Sequence, residues 1–65
     1  MEKQILESIK SHMNKYGYAP SVKWVAKEFG LTRDGIMPIL EAMQEKGLVR
    51  LKGPSKTRVI LKGED

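Results

Sequence analysis

Two stretches with the apolar spacing of amphipathic helices are separated by only Gly30-Leu31-Thr32, and this break limits the fold more than any other feature. In the first stretch Val22, Val25, Ala26 and Phe29 recur at three-and-four spacing; in the second, Ile36, Leu40 and Met43 do the same. Gly30 supplies the left-handed residue that ends a helix, Leu31 folds back toward the core, and Thr32 is an N-cap for the second stretch. A link this short does not let the two helices run side by side. They must cross steeply, as in a helix-turn-helix unit.

The flanks complete a small domain. Ile5, Leu6, Ile9 and Met13 mark one face of a helix near the start, which ends around Tyr16-Gly17. Tyr18-Ala19-Pro20 is extended, because proline disfavours the helical region for its predecessor, and Ser21 then caps the second helix. Beyond Gly47, Leu48-Val49-Arg50-Leu51-Lys52 and Thr57-Arg58-Val59-Ile60-Leu61-Lys62 read as two strands around Gly53-Pro54-Ser55-Lys56. The expectation is one α+β, mostly α, domain over residues 1–65, with helices at about 2–14, 22–29 and 33–46 and strands at about 48–52 and 57–62. A hairpin packed on a three-helix bundle with a helix-turn-helix is a winged helix.

Composition narrows the function. A chain of 65 residues has little room for a catalytic cleft, and without cysteine it has neither disulfides nor a thiolate metal site. MEKQILESIK is too charged for a signal peptide and no apolar run reaches membrane-spanning length, so a soluble, cytoplasmic protein with no membrane partner is expected. The net charge is +4, and residues 48–63 carry Arg50, Lys52, Lys56, Arg58 and Lys62 with no acidic residue among them. That concentration invites a polyanion. His12 is the only histidine, sits near the apolar face of the first helix and has no second ligand at metal spacing, so its expected role is structural. No serine has a neighbouring base that would make it a nucleophile; no enzymatic activity, metal or cofactor is expected.

Gly17-Tyr18, Pro20-Ser21-Val22, Val25-Ala26, Gly30-Leu31, Leu40, Lys46-Gly47-Leu48-Val49-Arg50 and Arg58-Val59-Ile60-Leu61, in this order and spacing, resemble the N-terminal winged-helix DNA-binding domain of the LexA SOS repressor family. The resemblance spans almost the whole chain. It implies a third helix laid in the major groove of duplex DNA with the wing beside the phosphates.

The residues make their own case for nucleic acid. Unpaired N–H groups at the start of the third helix carry the positive end of its dipole, so Thr32 and Arg33 sit where a phosphate is held. The planar fork of Arg33 suits a phosphate or guanine O6 and N7, whereas the ordinary reading is a solvated helix-start arginine paired with Asp34. Ser21, with Lys23 beside it, has the dual reading of N-cap and phosphate contact. In the wing, Lys56 lies in the turn and Lys52 and Arg58 flank it, a placement suited to gripping backbone phosphates. The alternative is a hairpin kept soluble by charge.

Some residues depart from a hydrogen-bonding reading helix. At 100° per residue, Met37 and Pro38 fall off the core stripe of the third helix and Ile39 lies at its margin. Met37 can touch a thymine methyl or a protein. Pro38 lacks the N–H that would bond the Asp34 carbonyl, so the helix should kink or begin loosely, with Gly35 softening its first turn. Trp24 points about 150° from the inward side of the second helix. It is covered by the chain's ends or the wing, anchors a partner or a second copy, or contacts DNA. Tyr16 and Tyr18 are expected to fill the core against the first two helices.

Three functions are compatible with this pattern. The first is a sequence-selective, double-stranded-DNA-binding transcriptional regulator, by its resemblance a repressor, using Ser21, Lys23, Thr32, Arg33, Met37, Lys52, Lys56 and Arg58. The second is a winged helix used for protein contacts, as a co-regulator, an antagonist or a homodimer, with Trp24, Met37 and Ile39 in the interface. The third, an RNA-binding domain, ranks below both because the hairpin has no aromatic side chains for bases to stack on.

Overall fold

The computed structural model describes residues 1–54 and 57–61, in the order α1 (Glu2–Tyr16), α2 (Val22–Glu28), α3 (Arg33–Glu45), β1 (Val49–Lys52) and β2 (Arg58–Leu61). Three helices and an antiparallel hairpin form a winged helix. Each element contributes its apolar face to one core: Ile5 and Ile9 from α1, Val22, Val25 and Ala26 from α2, Ile36, Leu40 and Met43 from α3, Val49 and Leu51 from β1, Val59 and Leu61 from β2. Within the hairpin, Val49 faces Leu61 and Leu51 faces Val59, so the two-residue period sends these pairs inward. Arg50 and Lys52 are left on the outer face, opposite Ile60 and Arg58.

Two helix ends aim the chain. Gly30 adopts φ 67°, its N–H donates to the Lys27 carbonyl at 3.2 Å, and the Leu31 N–H reaches back to the Ala26 carbonyl at 2.8 Å. These are the paired bonds of a Schellman ending, and they drop Leu31 onto the core before α3 begins. Gly47, at φ 76°, ends α3 in the same way: its N–H donates to the Gln44 carbonyl and that of Leu48 to the Met43 carbonyl, so Leu48 closes the helix and β1 begins at Val49.

Serine and threonine cap as the sequence suggests. Ser21 Oγ accepts from the Trp24 N–H at 3.0 Å and Thr32 Oγ1 from the Gly35 N–H at 3.1 Å. The Thr32 carbonyl also accepts from Gly35 and Ile36, so α3 starts in order rather than loosely and runs without a break through Pro38. The missing proline N–H concerns the carbonyl of Asp34, an exposed residue in the first turn, where water reaches the backbone.

A third strand-like segment joins the hairpin. Ser21 bridges Arg58 in antiparallel sense; the Val22 N–H donates to the Thr57 carbonyl at 2.8 Å and the Val59 N–H to the Pro20 carbonyl at 3.0 Å. One edge of the wing is therefore sewn to the segment that leads into α2. The other edge is covered by α3, where Gln44 Oε1 accepts from the Leu51 N–H at 2.9 Å.

The aromatic residues are arranged differently from the sequence expectation. His12 is only 5% exposed, and its Nδ1–H donates to the Tyr18 carbonyl at 3.0 Å, a bond that selects the Nδ1-protonated tautomer because a carbonyl only accepts. Three rings surround this imidazole: Trp24 at 4.5 Å, Tyr16 at 4.7 Å and Tyr18 at 5.1 Å between centroids. Tyr16 and Tyr18 do not fill the core; they are 49% and 55% exposed and roof His12 from the outside. Tyr16 ends α1 and Tyr18 lies in the α1–α2 connection, both at the surface. Trp24 is half-buried, and among the described residues α1 covers it through His12. No described helix is long and apolar enough to cross a membrane.

Candidate nucleic-acid interface

The starts of α2 and α3 and the start of β2 meet on one side of the molecule. Ser21, Val22, Lys23, Arg33 and Thr57 line a shallow groove of about 300 Å³. A neighbouring concavity, formed by Lys23, Ala26, Lys27, Gly30, Leu31, Thr32 and Arg33, covers the turn between the helices. Lys23 and Arg33 belong to both, so two exposed cations from different helices share a wall that the Schellman turn brings together. Both helix starts that border it are capped by a hydroxyl, and both present the positive end of a helix dipole. The arrangement suits an extended polyanion whose phosphates are spaced across two helix starts.

The wing adds its charge beside this groove. Lys52 lies directly opposite Arg58 on the outer face of the hairpin, with Arg50 two residues before Lys52 on the same face. Like charges facing each other across two strands destabilise a hairpin, and a bound anion removes that penalty. Arg58 partly relieves it already: Nη1–H donates to the Ala19 carbonyl at 3.1 Å, and the guanidinium lies 5.9 Å from the centre of the Tyr18 ring. Its fork is thus shared between the chain's own backbone and the surface. This outer face presents no aromatic side chain among the described residues.

The structure brings Ser21, Lys23, Thr32 and Arg33 together and places Lys52 and Arg58 on the adjoining ribbon. Lys56, and with it the wing turn's Ser55, lies outside the described residues. Met37 and Ile39 are not free on the surface of α3; both are half-buried and packed against the core, as is Trp24. A partner would therefore reach only part of each of these three side chains.

Three features escape a reading of the sequence. Thr57 joins the groove through the backbone pairing of its neighbours, Lys27 borders the turn, and Arg58 holds the α1–α2 connection. The one signal for the first and third was the extended backbone that Pro20 imposes on Ala19, which makes a strand partner available without naming the strand.

Residues 1–59 match the family described as the LexA DNA binding domain. The chain is similar to the LexA repressor of Syntrophomonas wolfei, at 37% identity over 65 residues, covering 98% of this chain and 31% of that protein. It is also similar to the LexA repressors of Pseudothermotoga lettingae, at 33% identity covering 97% of this chain and 32% of the relative, and of Parafrankia sp., at 35% identity covering 91% and 24%. The chain spans about a third of the length of the curated relatives it matches or less. No solved structure matches it. With the match running from α1 into β2, and with two capped helix starts and a cationic wing in one place, the chain belongs to the LexA DNA-binding domain family.

Proposed function

We propose that the chain is the DNA-binding part of a transcriptional repressor, with the first turns of α3 in the major groove of duplex DNA and the wing on the flanking phosphates. The observation that carries this reading is the shared groove: Ser21, Lys23 and Arg33, from two helix starts, converge beside Thr57 of the wing. In a helix-turn-helix the N-terminal residues of the second helix touch base edges while the first helix crosses the backbone. Arg33 then reads a guanine or holds a phosphate, Ser21 and Lys23 bind phosphate at the start of α2, and Lys52, Arg58 and Lys56 grip the backbone without reading sequence. Two copies on a two-fold related pair of half-sites fit this geometry, since one copy covers only one half-site. Such a regulator works in the compartment that holds the DNA, the cytoplasm of a cell without a nucleus.

The test is a titration with duplex DNA at two salt concentrations, following backbone amides and the Trp24 indole. Amides of Ser21, Lys23 and Arg33 move and binding weakens steeply with salt. Replacing Arg33 with alanine lowers the salt slope by about 0.9 if it holds a phosphate, and relaxes sequence preference if it reads guanine. Binding that is unchanged by Arg33→Ala at both salt concentrations refutes the site.

A further inference from the structure

The exposed side of α3 carries the two residue types that least favour a helix, three positions apart: Gly35 and Pro38. Neither is demanded by the fold. A methyl group added at Gly35 would lie 3.4 Å from Thr32 Oγ1 and 3.8 to 3.9 Å from the Leu31 side chain, which is ordinary contact, and the backbone there is not left-handed. Pro38 sits about 190° around the helix from the inward stripe of Ile36, Leu40 and Met43, and takes no part in the core. Gly35 has no side chain and Pro38 is exposed one turn on, so together they leave a notch on the outward side across the first two turns.

The surroundings of the notch limit what it can recognise. Arg33 and Asp34 precede it; Glu41 and Glu45 come after it on the same outward side, where their charge opposes a closer approach of the phosphate backbone to the far end of α3. The DNA therefore meets the first two turns, and there the only polar side chains besides the capping Thr32 are Arg33 and Asp34. What remains for discrimination is apolar contact. In the major groove the 5-methyl group of thymine is the one apolar feature on a base edge.

We propose that Pro38 is a specificity-determining residue that closes on the 5-methyl group of a thymine, with Gly35 leaving the space for that methyl to enter. This rests on the reading of the chain as a DNA-binding domain. Affinity is then weighted toward sites with thymine at one fixed distance from the base pair that Arg33 meets.

The experiment starts from a randomised duplex pool, from which the protein selects its preferred sequence. The selected duplex is then remade with deoxyuridine in place of each thymine in turn, which removes the methyl and nothing else. One position is expected to bind about fourfold more weakly, the value of burying one methyl group. Pro38→Gln, which restores an N–H for the Asp34 carbonyl, and Gly35→Gln, which fills the notch with a better helix former, should both close that gap. Thermal melting confirms that each variant is at least as stable as the parent. Equal binding of thymine and deoxyuridine duplexes overturns the inference, as does a gap that persists in Pro38→Gln. A pool from which no duplex is retained overturns the DNA-binding reading itself, an outcome separate from the other two.

Discussion

Ser21 is asked to do two things, and two substitutions separate them. Its Oγ accepts the Trp24 N–H at 3.0 Å at the start of a helix of only seven residues, which has no stability of its own outside the packed domain. Ser21→Ala removes that bond while the backbone bridge to Arg58 remains, so the loss is the cap alone: about 1 kcal/mol. For 65 residues the unfolding entropy is about 0.14 kcal/mol/K, and the melting midpoint should fall by about 7 °C. Ser21→Asp keeps a capping oxygen and the extended backbone, at φ −81° and ψ 158°, so its melting midpoint should stay within about 3 °C of the parent. It also places a negative charge where a phosphate is proposed to sit. At about 4 Å that repulsion is about 1 kcal/mol in a water-like dielectric and more beside protein, so DNA affinity should fall at least about fivefold. Circular dichroism melts and fluorescence titrations at fixed salt read the two effects apart. If Ser21→Ala melts with the parent, the cap argument is wrong; if Ser21→Asp binds DNA as the parent does, Ser21 does not face a phosphate.

Gln44→Ala leaves the Leu51 N–H without its partner on the edge of β1, and should lower stability by about 1 kcal/mol and speed amide exchange at Leu51 selectively. An unchanged exchange rate there would show that α3 does not guard that edge. Trp24→Ala removes a half-buried ring from His12 and should lower the urea midpoint by the equivalent of about 2 kcal/mol, below the range for a fully buried tryptophan. A variant with the parent's midpoint would mean that the indole is spare and available to a partner.

The positions of helices and strands follow from local rules, so they can be read from the chain. Gly30-Leu31-Thr32 ends one helix and caps the next whatever lies around it, because the left-handed glycine, the back-folded leucine and the hydroxyl cap are bonds made within a few residues. Alternation in Val49–Lys52 and Arg58–Leu61 likewise assigns inward and outward faces before any partner is known. The site was partly visible for the same reason: Ser21, Thr32 and Arg33 are functional candidates because they stand at helix starts. The meeting of Ser21 and Arg33 with Lys23 and Thr57 in a common groove was not visible, since it depends on the crossing of α2 over α3 and on the docking of the wing.

The aromatic residues show where local rules end. Periodicity places Trp24 off the inward side of α2, and that is correct for α2 alone; it says nothing of α1, which lies across the flank and supplies His12 as cover. The tyrosines were expected in the core, yet their places at the last residue of α1 and in the connection after it left them outside. Arg58 carries the clearest example. Its charge and its place in a strand are written in the chain, but its bond to the Ala19 carbonyl, thirty-nine residues earlier, exists because tertiary packing pairs β2 with the segment around Ser21. Short-range hydrogen bonding and side-chain period set the elements and the sign of their charge; long-range burial set which elements adjoin, and therefore which charges can act on one ligand.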